Sequence, residues 1–151
     1  MDATFKIWKT SRATYLKFLE NYSLEQLNKI PDGMSNNLIW NIGHIIVSQQ
    51  GLIYRLSGLP RYVTDEMTAK YQNGSVPTGN TSLEEVNEIK NLLISTMNQT
   101  ISDYENGVFK EYTPYETKTG FSLQNLNDAI EFNNYHEGIH LGFMMKIKKF
   151  I

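Results

Sequence analysis

The hydrophobic positions fall into four runs of helical period. From about Ala3 to Tyr22, the residues Phe5, Trp8, Tyr15, Leu19 and Tyr22 lie near one stripe. A short segment from Ser23 to Ile30 follows, with Ser23 placed to cap it and Pro31-Asp32-Gly33 to close it. The second long run extends from about Ser35 to Ser57, where Gly58 and Pro60 stop it. Its apolar residues, among them Leu38, Ile39, Trp40, Ile42, Ile45, Ile46 and Val47, cannot share a narrow stripe. Such a helix is either central or covered by a partner subunit. The third run opens on Ser82-Leu83-Glu84-Glu85, a capping-box pattern, and keeps its period to Asn106-Gly107. The fourth begins near Ser122 and continues almost to the last residue. Its terminal Lys146, Lys148 and Lys149 suit the negative pole of a helix dipole.

The connections Gly58–Thr81 and Gly107–Phe121 are long for a small domain and could cross the ends of a bundle or cover a site. The pattern predicts an all-α protein, a four-helix bundle with long crossover connections, formed by residues 1–151 as one domain.

Composition narrows the chemistry. The chain has no cysteine, so a metal site would use nitrogen and oxygen ligands. A net charge of −2 gives no basic surface for nucleic acid. No apolar run is long enough to span a membrane, and the charged N-terminal segment does not read as a signal peptide. A cytoplasmic protein is expected, with a small-molecule substrate and without nucleic-acid or membrane partners. The apolar excess of the second helix, with Trp8 and the aromatic residues of the first, predicts a homodimer.

The chain contains three histidines, His44, His136 and His140. His136 and His140 are one helical turn apart, so both rings leave the same face and can converge on one ion. The apolar residues of the fourth helix include Leu126, Ile130, Phe143, Ile147 and Phe150, and their stripe is expected to pass through Asn133, His136 and His140. Polar groups on such a stripe need partners, and a metal would satisfy both rings.

The segment His136-Glu137-Gly138-Ile139-His140 also reads as H-E-x-x-H, in which the glutamate of a zinc peptidase is the general base. Such an enzyme takes its third ligand from farther along the chain, yet Leu141–Ile151 contain no His, Asp or Glu. The third ligand must lie upstream, and the remaining histidine is His44. Glu137 is left as a candidate general base or a solvent-facing residue. Asn41 and Asn133 each sit three residues before a histidine and are candidates to support the ligands.

Two segments resemble a known family. Asn37-Leu-Ile-Trp-Asn-Ile-Gly-His44, followed by Gly58-Leu-Pro60, resembles the second-helix signature of the DinB/YfiT-like superfamily. Ser122-Leu-Gln-Asn-Leu-Asn, followed by His136-Glu-Gly-Ile-His140-Leu-Gly142, resembles its last-helix signature. The resemblance implies a four-helix bundle with a long crossover, and a divalent metal held by His44, His136 and His140. It implies a metal-dependent enzyme that activates a low-molecular-weight thiol for transfer or isomerisation, or a hydrolase, acting on a small molecule. The alternative is a non-catalytic metal-binding or stress-related bundle module. Three imidazoles suit Zn, Ni, Fe and Cu alike.

Overall fold

A computed structural model describes residues 1–151. Its long helices are α1 (Asp2–Asn21), α3 (Leu38–Ile53), α5 (Leu83–Glu105) and α6 (Leu126–Ile147). Two short helices accompany them, α2 (Leu24–Asn28) and α4 (Asp65–Tyr71). A hairpin of two residues per strand, β1 (Tyr115–Glu116) and β2 (Ser122–Leu123), precedes α6. The architecture is the expected all-α four-helix bundle.

In cross-section, α3 and α1 each pack against both α5 and α6, so α1 and α3 lie across a diagonal. Side-chain contacts fix the directions. Arg12 of α1 reaches Leu93 of α5, while Phe5 meets Tyr104, so these helices run antiparallel. Gln49 reaches Thr100 and Tyr54 reaches Asp103, so α3 and α5 run parallel. The α3–α5 connection must therefore travel the length of the bundle, and α4 forms within it. The α5–α6 connection stays at one end.

Local chemistry sets the helix ends. Asn37, not Ser35, caps α3 by accepting from the Trp40 N–H at 2.9 Å. Asn125 caps α6, while Ser122, the expected start, is in β2. Ser82 caps α5 through Glu85 N–H. The reciprocal half of the box is missing because the Glu85 carboxylate instead binds Lys70 and the Tyr71 hydroxyl.

The apolar excess of α3 has an intramolecular explanation. The helix is covered by α5, α6, α4 and α2 of the same chain, and Leu38–Val47 are buried. The premise that led from this helix to a homodimer is thereby removed.

The core forms two apolar clusters. The larger surrounds Tyr15, Leu38, Ile42 and Met144, and the smaller surrounds Trp8, Ile53, Met97 and Ile130. Buried polar side chains occur along the same helices: Arg12, Gln49, Thr96, Thr100, Asn133 and Glu137. The centre of this set is an ion pair with no solvent exposure, Arg12 Nη2 to Glu137 Oε1 at 2.6 Å. Trp8 Nε1–H and Asn133 Nδ2–H also donate to Oε1, each at 2.9 Å. Arg12 Nη1 donates to the Leu93 carbonyl at 2.9 Å. The Tyr15 hydroxyl donates to the Glu137 carbonyl, and burial first, then the Glu137 charge, raises its pKa above the ordinary tyrosine value.

The buried stripe of α6 consequently differs from the expected one. It passes through Ala129, Ile130, Asn133, Glu137, Met144 and Ile147. Phe143 and Phe150 are 53% and 55% exposed, and His136 and His140 occupy the flank.

Glu137→Ala should destabilise the protein by roughly 3–5 kcal/mol, because it strands the Arg12 guanidinium in a dry core. Chemical denaturation checks this, and the double variant Arg12→Met/Glu137→Leu should recover much of the loss. A single-variant cost under about 1 kcal/mol would contradict the assigned role.

Candidate metal centre

The backbone brings the three histidines together from two antiparallel helices. His44 lies in the middle of α3, and His136 and His140 lie on α6. One nitrogen of each ring lies within 4.8 Å of the others. Because Glu137 points into the core, His136 and His140 project about 100° and 60° to one side of that direction. Both therefore face the seam between α6 and α3, where His44 waits.

The other nitrogen of two rings is already committed. His44 Nδ1–H donates to the Tyr71 carbonyl at 2.7 Å, and a carbonyl can only accept. His140 Nδ1–H donates to Asn41 Oδ1 at 2.7 Å. Asn41 is oriented for this role because its Nδ2 donates to the Asn37 carbonyl and to Asn36 Oδ1. Both bonds leave Nε2 as the lone-pair nitrogen facing the centre, the arrangement in which an outer acceptor sets the tautomer of a metal ligand. His136 Nε2 lies 3.2 Å from His140 Nε2.

Burial keeps these rings neutral. It pushes the His136 pKa down to about 4 and the His140 pKa down to about 3, with repulsion between the rings adding to each effect. The His44 pKa is lowered by burial as well, against the opposing bond to Tyr71. Neutral imidazole is the ligating form.

The donor set fits a divalent ion. The 3.2 Å separation is close to the ~3.3 Å expected between two nitrogens bound 2.0–2.1 Å from a tetrahedral centre. His136 differs from the other two: its Nδ1 is buried without a hydrogen-bond partner, so no outer acceptor fixes its tautomer, and its Nε2 faces the lone pair of His140 Nε2, where a proton or an ion can be shared. No carboxylate joins the cluster.

Two aromatic neighbours shape the centre, Trp40 of the second-helix signature and Tyr71, which the sequence did not single out. Gly43 admits the Tyr71 ring, which a methyl group at that position would overlap, and this close approach brings the Tyr71 carbonyl to His44. Trp40 stacks on His44 with ring centroids 4.8 Å apart. Trp40 is four residues before His44, a spacing readable in the sequence, whereas Tyr71 lies in the crossover and gave no such signal.

The other named candidates lie apart from the histidine nitrogens. Asn133 donates to Glu137, so its support goes to the ion pair. Glu137 is neither solvent-facing nor directed at the histidines, and its carboxylate is occupied by Arg12, Trp8 and Asn133. Arg12 could have been noticed, since it falls on the stripe of Phe5, Trp8, Tyr15 and Leu19.

A cavity of about 600 Å³ opens beside the centre, bounded by α3, α6, the crossover and the hairpin. All three histidines line it, with Trp40, Ser48 and Phe132. The Ser48 hydroxyl lies 3.2 Å from His44 Nε2.

His44→Ala, His136→Ala and His140→Ala should each abolish stoichiometric uptake of divalent metal, measured by elemental analysis after dialysis. Circular dichroism should show the helical fold retained, because the apolar clusters do not depend on the ion. Full retention of metal by any one variant would remove that residue from the ligand set.

No helix is long and apolar enough to cross a membrane. Neither a curated protein nor a solved structure shows significant similarity to the chain. The family profile of the DinB superfamily, however, matches residues 7–144, a span that covers α3 and α5, most of α1 and α6, and all three histidines. The chain belongs to the DinB superfamily.

Proposed function

We propose that this protein is a metal-dependent enzyme of the cytoplasm acting on a small molecule, with His44, His136 and His140 holding one divalent ion. The observation that carries the reading is the three-nitrogen set beside a cavity, with no fourth protein ligand in the cluster. Three ligands and an open position is the catalytic pattern for zinc, whereas structural sites are closed by four. A divalent ion there would supply Lewis acidity and lower the pKa of a water or thiol beside it.

The chain's own residues favour thiol transfer over hydrolysis of an amide. Amide hydrolysis requires a base for water and an acid for the leaving amine. No Asp or Glu lines the cavity, and Glu137 is held by Arg12 in the core. A thiol, with a pKa near 8.5, needs far less help to become a nucleophile. Ser48 can hydrogen-bond a group at the open position once His44 Nε2 is engaged as a ligand. Tyr71 and Asn41 hold His44 and His140 in place, and Trp40 and Phe132 provide apolar walls.

A homodimer belongs to the same proposal, with its interface moved to the outside of α6. Tyr135, Ile139 and Phe143 are 52%, 40% and 53% exposed there, and Phe121 packs against Tyr135. Large exposed apolar patches mark partner surfaces.

The Co²⁺-loaded protein should change its visible spectrum on addition of mercaptoethanol or acetohydroxamate, reporting an open position. An unchanged spectrum at saturating probe would favour a non-catalytic metal-binding module. Light scattering should give twice the 17.4 kDa chain mass, and Phe143→Glu should return the monomer. A wild-type protein that is monomeric at micromolar concentration would exclude the dimer.

A further inference from the structure

The cavity beside the histidines has an unusual charge distribution. The chain carries a net charge of −2, yet Arg55, Arg61 and Lys118 line this cavity and no carboxylate does. The chain has three arginines. One is consumed by the buried pair with Glu137, and the other two are at this cavity. Arg61 is anchored by Asp65 at 2.7 Å and Thr68 at 2.9 Å. Arg55 and Lys118 have no ion-pair partner in the protein. Guanidinium is the side chain suited to bidentate recognition of carboxylate and phosphate, which an ordinary solvated surface does not require.

The floor of the cavity is laid out along one helix. His44, Ser48, Gly51 and Arg55 follow one another at steps of four, three and four, so they share a face of α3 and the turn that continues it. Gly51 is helical, has no positive φ, and would meet nothing within 4 Å if it carried a Cβ. Neither backbone conformation nor close packing calls for glycine, which costs ~1 kcal/mol relative to alanine inside a helix. Its effect is to keep the floor bare between His44 and Arg55. The axial rise between those residues is about 16 Å, which the long arginine side chain can shorten by reaching back.

We propose that the cavity binds an elongated small molecule bearing an oxyanion, a carboxylate or phosphate, which Arg55 recognises with the help of Lys118 while the other end of the molecule lies at the three histidines. This inference rests on the metal-site reading for the position of that other end. The oxyanion site itself rests on the two cations, the empty space over Gly51 and the absence of competing carboxylates.

The test compares suberic acid monohydroxamate with octanohydroxamate on the Co²⁺-loaded protein, followed through the visible spectrum. The two probes share a metal-binding head and chain length and differ in the terminal carboxylate. The carboxylated probe should bind roughly tenfold tighter or better, the gain expected of a charge-assisted hydrogen bond. Arg55→Ala should erase that difference without weakening octanohydroxamate, and Lys118→Ala should reduce it. Gly51→Leu should weaken both long probes and spare acetohydroxamate. Equal affinities of the long probes in the wild type, or equal losses for both in Arg55→Ala, would overturn the proposal. A second arm uses metal-free protein, so that failure of the metal reading is seen separately. There, millimolar suberate or octyl phosphate should shift the Arg55 Nε–H NMR signal and octanediol should not, with the tighter of the two anions naming the oxyanion. Absence of any shift with both anions would overturn the proposal even if Co²⁺ binds at the histidines.

Discussion

A carboxylate and a guanidinium facing each other in a dry core set the geometry of everything around them. Glu137 and Arg12 have no contact with solvent, and removing either partner would leave a charge that the interior cannot solvate. The pair therefore holds α6 at one rotation about its axis, with Glu137 directed at α1. His136 precedes Glu137 by one residue and His140 follows it by three, so that rotation aims both rings at the α3 seam. The Trp8 indole, Asn133 amide and Tyr15 hydroxyl add further bonds to the same residue. An H-E-x-x-H segment has here separated its parts: the histidines gather at a cavity, while the glutamate is a structural anchor on the opposite side of the seam.

The second determinant is the outer layer around the rings. A metal ligand needs its second nitrogen fixed as much as its first. For His140 the acceptor is Asn41, one helix away, itself locked by the start of α3. For His44 the acceptor is a main-chain carbonyl in the crossover, brought close because residue 43 has no side chain. Tyr71 is tied in turn to Glu85 of α5 through its hydroxyl. The long connection thus belongs to the site as firmly as the helices do.

Much of this was legible in the sequence. Helical period located the four long helices, and the one-turn spacing of His136 and His140 announced a shared face. The chemistry of an upstream third ligand then singled out His44. What escaped has physical reasons. Helix α4 is short and polar, and forms because Thr64 caps it and Tyr71 packs on Gly43, a contact that no local pattern encodes. The inner face of α6 was misplaced because Phe143 and Phe150 look like core residues, while the actual core position, 137, is a glutamate. Period alone cannot reveal that a charge lies inward until its partner is known, and Arg12 is 125 residues away. The apolar breadth of α3 was correctly seen, but the sequence could not say whether a second subunit or the chain's own neighbours covered it.

The buried polar residues have a consequence for which alignment of the helices is adopted. Leucine and isoleucine side chains in a bundle tolerate axial sliding, since one apolar contact replaces another at little cost. The belt of Arg12, Gln49, Thr96, Thr100, Asn133 and Glu137 does not, because it draws members from all four long helices. Moving any one helix by a single turn, about 5.4 Å, would carry its polar groups into a neighbouring apolar cluster and strand their partners. The two apolar clusters supply most of the cohesion, but the hydrophobic effect behind them is non-directional and specifies register less sharply than hydrogen bonds do. The belt between them accepts one register, and in it His44 lies level with His136 and His140.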